Sequence, residues 1–352
     1  MRARVALLAL LATAAIGVSA LQSARGDGRP VTRDPRLQPF AATSIWNTPI
    51  GTGAAYSAEQ APETRMLRTD DAGGPRKSVI WIGHDVMAIA RARENDPLAP
   101  WSFGSRAATA LWPADGTMAN GTVMIRTPPG IRFLGGSDRY VVIIAPDGRT
   151  AYEGWHGSAS PQTGGYHADY LVRTDLLGSG IARSDGRSEG IRAFGGSLLG
   201  GLVRCAELSG GAIPHAIAVN LANSQLKAAT SQHGQKVWPA TGSDDAGRNG
   251  YAGLVPMGSL LAIPPDVDIG QLGLTRDGAA LAHAFQDFGG YVVDRAPETM
   301  VLAQVEAGCP TSDLVKDRMK IARHLTIVTN NGPAHPGGPG PRRRPPPPPV
   351  AP

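Results

Sequence analysis

The chain has little of several things that would fix its chemistry at once. It holds only two cysteines, Cys205 and Cys309, in 352 residues. No Cys-x-x-Cys and no His/Cys cluster is present, so the usual spacing of structural zinc is missing. A single long-range disulfide stays open as a reading. In an oxidising compartment it would close a loop of about 100 residues and contribute on the order of 4 kcal/mol. Beyond the first twenty residues no apolar run approaches the length of a membrane span. No Gly-x-x-x-x-Gly-Lys-Ser/Thr loop offers a phosphate cradle, and the glycine-rich "GSGIARSDGRSEG" (178–190) reads as a loop, which disfavours nucleotide chemistry. No Gly-x-Ser-x-Gly elbow occurs. Positive charge is also scarcer than it looks. The net charge is +5, but Arg2, Arg4, Arg342, Arg343 and Arg344 supply all of it, leaving the body near zero. With no basic stripe interleaved with aromatics, nucleic acid is not an expected partner.

The two ends separate from the body. Arg2 and Arg4 precede an apolar stretch from Val5 to Val18, and Val18-Ser19-Ala20 is a small-residue cleavage site. This reads as a signal peptide over 1–20, followed by a linker over 21–34, and predicts a secreted or envelope-associated protein with no membrane segment after cleavage. At the other end, Gly332–Pro352 is proline, glycine and arginine, with almost nothing able to build a core. It predicts a disordered or polyproline II tail. A single domain over 35–331 lies between.

That domain has strand and turn texture. "SVIWIG" (78–83), "GTVMIRTPPG" (121–130) and "HAIAVNL" (215–221) are short β-rich runs. "RYVVIIAPDGRTAYEGW" (139–155) reads as a hairpin turning at Pro146-Asp147-Gly148. Three segments predict helices: "GGSLLGGLVRCAEL" (195–208), "TRDGAALAHAFQDFGG" with Thr275 as N-cap, and "SDLVKDRMKIARHL" with Ser312 as N-cap. The sum is a mainly β fold, a β-sandwich or jelly-roll-like domain with a few packed helices.

Chemistry concentrates in "YEGWHGSASPQTGGYHADY" (152–170). On a strand, Glu153 and Trp155 share one face. A carboxylate beside an indole is a pairing that carbohydrate sites use, the ring stacking on a sugar while the carboxylate serves as acid, base or acceptor. His156 and His167 flank a glycine-rich loop and could line one cleft, with Tyr166 beside them; they lack a third partner at metal-ligand spacing. His215 follows Pro214 at the mouth of a strand, where an imidazole can move protons. Asn47 could cap a turn or bind substrate. Asp244, Asp245, Asp266 and Asp268 could hold calcium, although solvated loops explain them equally; no other cofactor is implied.

Taken together, "SIWNTPIG", "AYEGW", "GGLVRCAEL" with "HAIAVNL", "VWPA", "LAIPPDVDIGQLGL" and "AHAFQDFGGYVVD" resemble a widespread group of secreted bacterial proteins, over Phe40–Asp294. The resemblance implies a role in extracellular polymer metabolism and carries no catalytic residues with it. The expected function is therefore a secreted carbohydrate-active enzyme acting on an extracellular polysaccharide. A lyase would use Asn47 or Arg204 to neutralise a uronate and His215, His167 or Tyr166 as base and acid. A hydrolase would use Glu153 with Asp169 or Glu207. Histidine and tyrosine outnumber paired carboxylates here, which favours the lyase. The alternative is a non-catalytic glycan- or cell-wall-binding protein with Trp155 and His156 on its binding surface.

Overall fold

The hairpin expected at 139–155 organises the first half of the molecule. The computed structural model describes residues 32–349 except 71–73, 82–88, 105–120, 135, 161–163, 183–189 and 231–232. The expected signal peptide, and all of the linker but its last three residues, lie outside the described residues. Fourteen strands are described: β1 (Ser78–Trp81), β2 (Ile89–Arg91), β3 (Leu98–Phe103), β4 (Gly121–Arg126), β5 (Val141–Ile144), β6 (Thr150–Trp155), β7 (Ser158–Ser160), β8 (Gly165–Ala168), β9 (Tyr170–Asp175), β10 (Ile217–Ala222), β11 (Leu260–Ala262), β12 (Gly290–Ala296), β13 (Met300–Gln304) and β14 (Thr326–Ile327). Five helices accompany them: α1 (Pro62–Arg68), α2 (Cys205–Gly210), α3 (Ala246–Asn249), α4 (Arg276–Asp287) and α5 (Ser312–Ala322).

The strands form three sheets, ordered β2-β5-β6-β9, β4-β3-β8-β7 and β1-β13-β10-β12-β11-β14. The first two make a small sandwich. Trp101, Phe103 and Ile125 of one meet Val141, Ile143 and Leu171 of the other. Strand β5 is buried on both faces, because Val142 and Ile144 point the other way into the main core beside Phe194 and Leu198. Each such side chain contributes about 1.5–3 kcal/mol of burial. The six-stranded sheet is mixed, with β10 parallel to β12 and β1 parallel to β13. Its central strand β10 is buried at all six positions, as a sheet covered on both faces requires. Helices α4 and α5 pack on each other, and α5 packs on β1. The result is mainly β with a few packed helices, as the sequence predicts.

Three local expectations are corrected. Residues 195–204 are turns rather than helix, and only Cys205–Gly210 is helical. Gly200 packs against the Trp46 indole, and Gly201, at φ +70°, lies against the backbone of Ile217 and Ala218; a Cβ at either would collide. Close approach, not helix propensity, selects this glycine pair. Helix α4 is capped by Thr275, whose side chain accepts from Gly278 N–H, but α5 takes Thr311 at its N-cap rather than Ser312. The third correction is the tail. Residues 332–349 lie on the body: Gly51 N–H donates to Gly337 O, Thr52 N–H to Pro341 O, and Arg343 N–H to Ile50 O. The arginines reinforce this, with Arg343 donating to Gln286 O and Arg344 pairing with Asp287 at 2.7 Å. At the far end Arg33 donates to Pro348 O, and its own N–H to Pro349 O. The tail docks through backbone and guanidinium hydrogen bonds, so its lack of apolar side chains does not prevent order.

Cys205 and Cys309 form a disulfide across 104 residues, tying the start of α2 to the loop before α5. Among the described residues no helix is long and apolar enough to cross a membrane.

Candidate functional site

A cleft of about 620 Å³ opens among the described residues. Strand β12 delivers Asp294 and Arg295 to it, and β10 delivers Asn220, their register shifted by one residue at that point. Trp81 of β1 and Trp155 and Tyr170 of the hairpin sheet add aromatic wall. Asp138 and Tyr140 enter from the loop before β5, and Arg192 and Asp244 from loops. The cleft therefore spans two of the three sheets, and no stretch of sequence holds more than a fraction of it.

Its centre is a pair of carboxyl groups. Asp244 and Asp294 are electrostatic neighbours, each carboxyl acting on the titration of the other. Asp244 also accepts from the Tyr251 hydroxyl at 3.1 Å, and Asp294 from the Arg295 backbone N–H at 2.9 Å. Enclosure by protein is the largest influence on Asp294, and the neighbouring Asp244 carboxylate adds to it. Arg192 and the Arg295 N–H pull the other way, and the carboxyl ends near pKa about 8. Asp244 is likewise raised, first by burial, against the opposing pull of Arg295 and Tyr251. Two neighbouring enclosed carboxyls cannot both ionise cheaply, so Asp294 favours its protonated form at neutral pH.

Behind the pair, the site is held in place. Arg192 donates to Gln304 Oε1 at 2.9 Å and to the carbonyls of Ser197 and Leu198. Gln304 Nε2 in turn donates to Asn220 Oδ1 at 2.9 Å. Gly195, at φ +94°, forms part of the lining, where a Cβ would strike Thr241. On the opposite sheet the Trp155 indole N–H donates to Asp138 Oδ1 at 3.1 Å, which fixes a third carboxyl in the cleft.

The residues expected to act together are dispersed, and of them only Trp155 lines the cleft. Glu153 is fully buried between layers, accepting from Thr174 Oγ1 at 2.9 Å, Leu198 N–H at 2.8 Å and Ser197 Oγ. Burial raises its pKa against those donors, and its setting is that of a structural tie between β6, β9 and the 195–204 turns. Asn47 is buried too, its amide donating to the carbonyls of Pro39 and Ala41. Arg204, 2% exposed, donates to Glu306 and to Arg36 O. His215 bonds Glu207 through Nε2 and Ala216 O through Nδ1. Burial by itself would lower its pKa, but the Glu207 carboxylate and the Ala216 carbonyl together hold it above the usual value. Tyr166 stacks on Trp101 at 4.8 Å in the small sandwich. His156, stacked on Trp155, and His167 both bond Asp169. The lyase set of His215, His167, Tyr166, Asn47 and Arg204 thus meets in no common cavity.

The four aspartates considered for calcium do not gather. Asp244 belongs to the cleft, and Asp268 accepts from Gly270 N–H. Among the described residues the only three-membered cluster of His, Cys or acidic ligand atoms is Cys205, Glu306 and Cys309, whose sulfurs are bonded to each other.

Sequence reasoning missed Asp138 and Asp294, and weighed Asp244 only for calcium. One signal was present. Asp294 interrupts the apolar strand "GGYVVD", and a carboxyl there is costly unless it is used. Comparison with protein-family models, with curated proteins and with solved structures returns no match for this chain.

Proposed function

We propose that the protein is a secreted glycan hydrolase, with the aspartate-lined cleft as its active site. The observation that carries this reading is the convergence of Asp138, Asp244 and Asp294 in one cleft walled by Trp81, Trp155 and Tyr170, with Asp294 raised toward its protonated form by burial and by the Asp244 carboxylate. Sugar rings stack on such aromatic faces. Asp294 is the general acid that protonates the leaving glycosidic oxygen, and Asp244 keeps that proton available. Asp244 acts on Asp294 through its charge and is assigned that role rather than the second carboxyl of the pair. Asp138 is therefore the second carboxyl, activating water or attacking the anomeric carbon. Arg295, beside Asp244, is placed to bind substrate oxygens.

The test is a polysaccharide screen with the mature protein, read by reducing-end release and by ultraviolet absorbance of unsaturated uronate ends. Reducing ends without unsaturation, abolished by Asp294→Asn, are the expected result. Unsaturated ends would mean a lyase. Retention on an insoluble polymer without turnover would mean a binding protein. The neighbouring Asp244 and Asp294 carboxyls also support a second reading, since two carboxyls sharing one proton activate water in aspartic peptidases. Cleavage of a denatured protein substrate, lost in Asp294→Asn, would favour it.

A further inference from the structure

A second group of reactive side chains lies outside the cleft machinery. Strands β3 and β8 run parallel, and Ser102 stands in register with His167. Trp101 and Phe103 on either side of Ser102 point into the sandwich core at 0% and 2% exposure, so Ser102 points outward, beside the imidazole. Ser102 Oγ lies 2.9 Å from His167 Nδ1. His167 Nε2 lies 3.2 Å from Asp169 Oδ1, and the other oxygen of Asp169 takes His156 Nδ1 at 2.8 Å.

We propose that Ser102, His167 and Asp169 form a nucleophilic relay that hydrolyses short acyl esters. The tautomer of His167 sets the roles. Asp169 accepts a proton at Nε2, which leaves Nδ1 of the neutral ring as the acceptor, and that is the nitrogen facing the Ser102 hydroxyl. An imidazole relays equally well through either nitrogen. The hydroxyl has one other acceptor in reach, Tyr166 O, but at 3.3 Å it is the more distant. The group is open to solvent, with the side chains of His167 and Asp169 33% and 23% exposed. His156 locks the second carboxylate oxygen and so fixes the plane of Asp169.

The step balances without a cofactor. Ser102 Oγ bonds to the acyl carbon while its proton passes to His167 Nδ1. The acyl C–O bond to the alcohol breaks, and the imidazolium returns its proton to the leaving alkoxide. Water then repeats the sequence, releasing the carboxylic acid and restoring the serine. Ser102 and His167 are the catalytic residues, and Asp169 is a positioning residue. Trp155 stacks on His156 and bonds Asp138, so the relay stands beside the cleft wall. If the cleft binds glycans, O-acyl groups on those glycans are its natural esters; this last clause alone rests on the hydrolase reading.

The experiment uses the full mature chain, p-nitrophenyl acetate as substrate and a fluorophosphonate as covalent probe. The expected result is one adduct, mapped to the Ser102 peptide, and ester turnover that Ser102→Ala removes while the melting temperature holds. His167→Gln should lower turnover by about 10³-fold or more, and Asp169→Asn should lower kcat by a similar factor with little change in KM. Ser102→Ala should leave reducing-end release from polysaccharide unchanged. An unlabelled Ser102, or turnover that survives in Ser102→Ala, would overturn the proposal. Because the readouts are separate, failure of the relay and failure of the glycan reading cannot be confused.

Discussion

Glu153 and Asp294 are both pushed toward their protonated form by burial, and their surroundings are opposite. Glu153 sits between layers with no exposure, and three donors converge on it: Thr174, Ser197 and the Leu198 N–H. Asp294 stands in a cleft, faces a second carboxyl and receives one backbone N–H. Both arrangements raise a pKa, and only one can meet a substrate. A perturbed carboxyl marks a candidate site when it stands in a cleft beside a specific charge partner. Glu153 instead satisfies its neighbours' hydrogen bonds, and its value is to the fold.

The sharpest way to break this comparison is to remove each carboxyl in turn. Asp294→Asn should cost about 10²–10⁴-fold in glycan turnover with little change in melting temperature, a general-acid effect without a packing effect. Wild-type turnover should also fall as pH rises through about 8, where Asp294 gives up its proton; an unchanged alkaline limb would remove Asp294 as the acid. Glu153→Ala should do the reverse. It strands three buried donors and should lower stability by about 3 kcal/mol or more in denaturant titration, with any loss of turnover tracking the unfolded fraction. A stable but inactive Glu153→Ala protein would collapse the distinction.

Smaller effects probe the region remote from both. Replacing Cys205 and Cys309 together by serine should lower stability by about 2–4 kcal/mol, because the bridge closes a long loop, and leave turnover per folded molecule intact. The smallest effect should come from His215. Its folded pKa is raised above the unfolded value of 6.5, so its pairing with Glu207 stabilises fully below that value and fades as pH rises through the folded pKa. The stability difference between wild type and His215→Gln should shrink from about pH 5 to about pH 9. A difference that grew with pH would contradict the ion pair.

Much of the framework was legible because it is local. The hairpin follows from the apolar β-branched run Val141–Ile144 and the return strand Thr150–Trp155, with a Pro-Asp-Gly turn between. Helix α4 announces itself by Thr275 and one apolar face. Local reading failed where neighbours distant in sequence decide. Gly200 and Gly201 look like weak helix and are in fact spacers under Trp46. The composition of 332–349 speaks against a core, and the segment docks without needing one, through main-chain pairing with 50–53. The conspicuous "YEGWH" stretch gave Trp155 to the cleft, but Glu153 on the same strand face is enclosed by Thr174, Ser197 and Leu198, and His156, just past the strand, pairs with Asp169.

The sequence by itself determined a mainly β chain with two cysteines, a near-neutral body and few helices, because periodicity, turn chemistry and charge balance act over a few residues. The tertiary structure alone decided which carboxyls matter. Asp138, Asp244 and Asp294 come from three separate segments, and they face one another only where two sheets meet around one cleft. Burial, field and hydrogen-bond contact are properties of that meeting, and no single segment contains them.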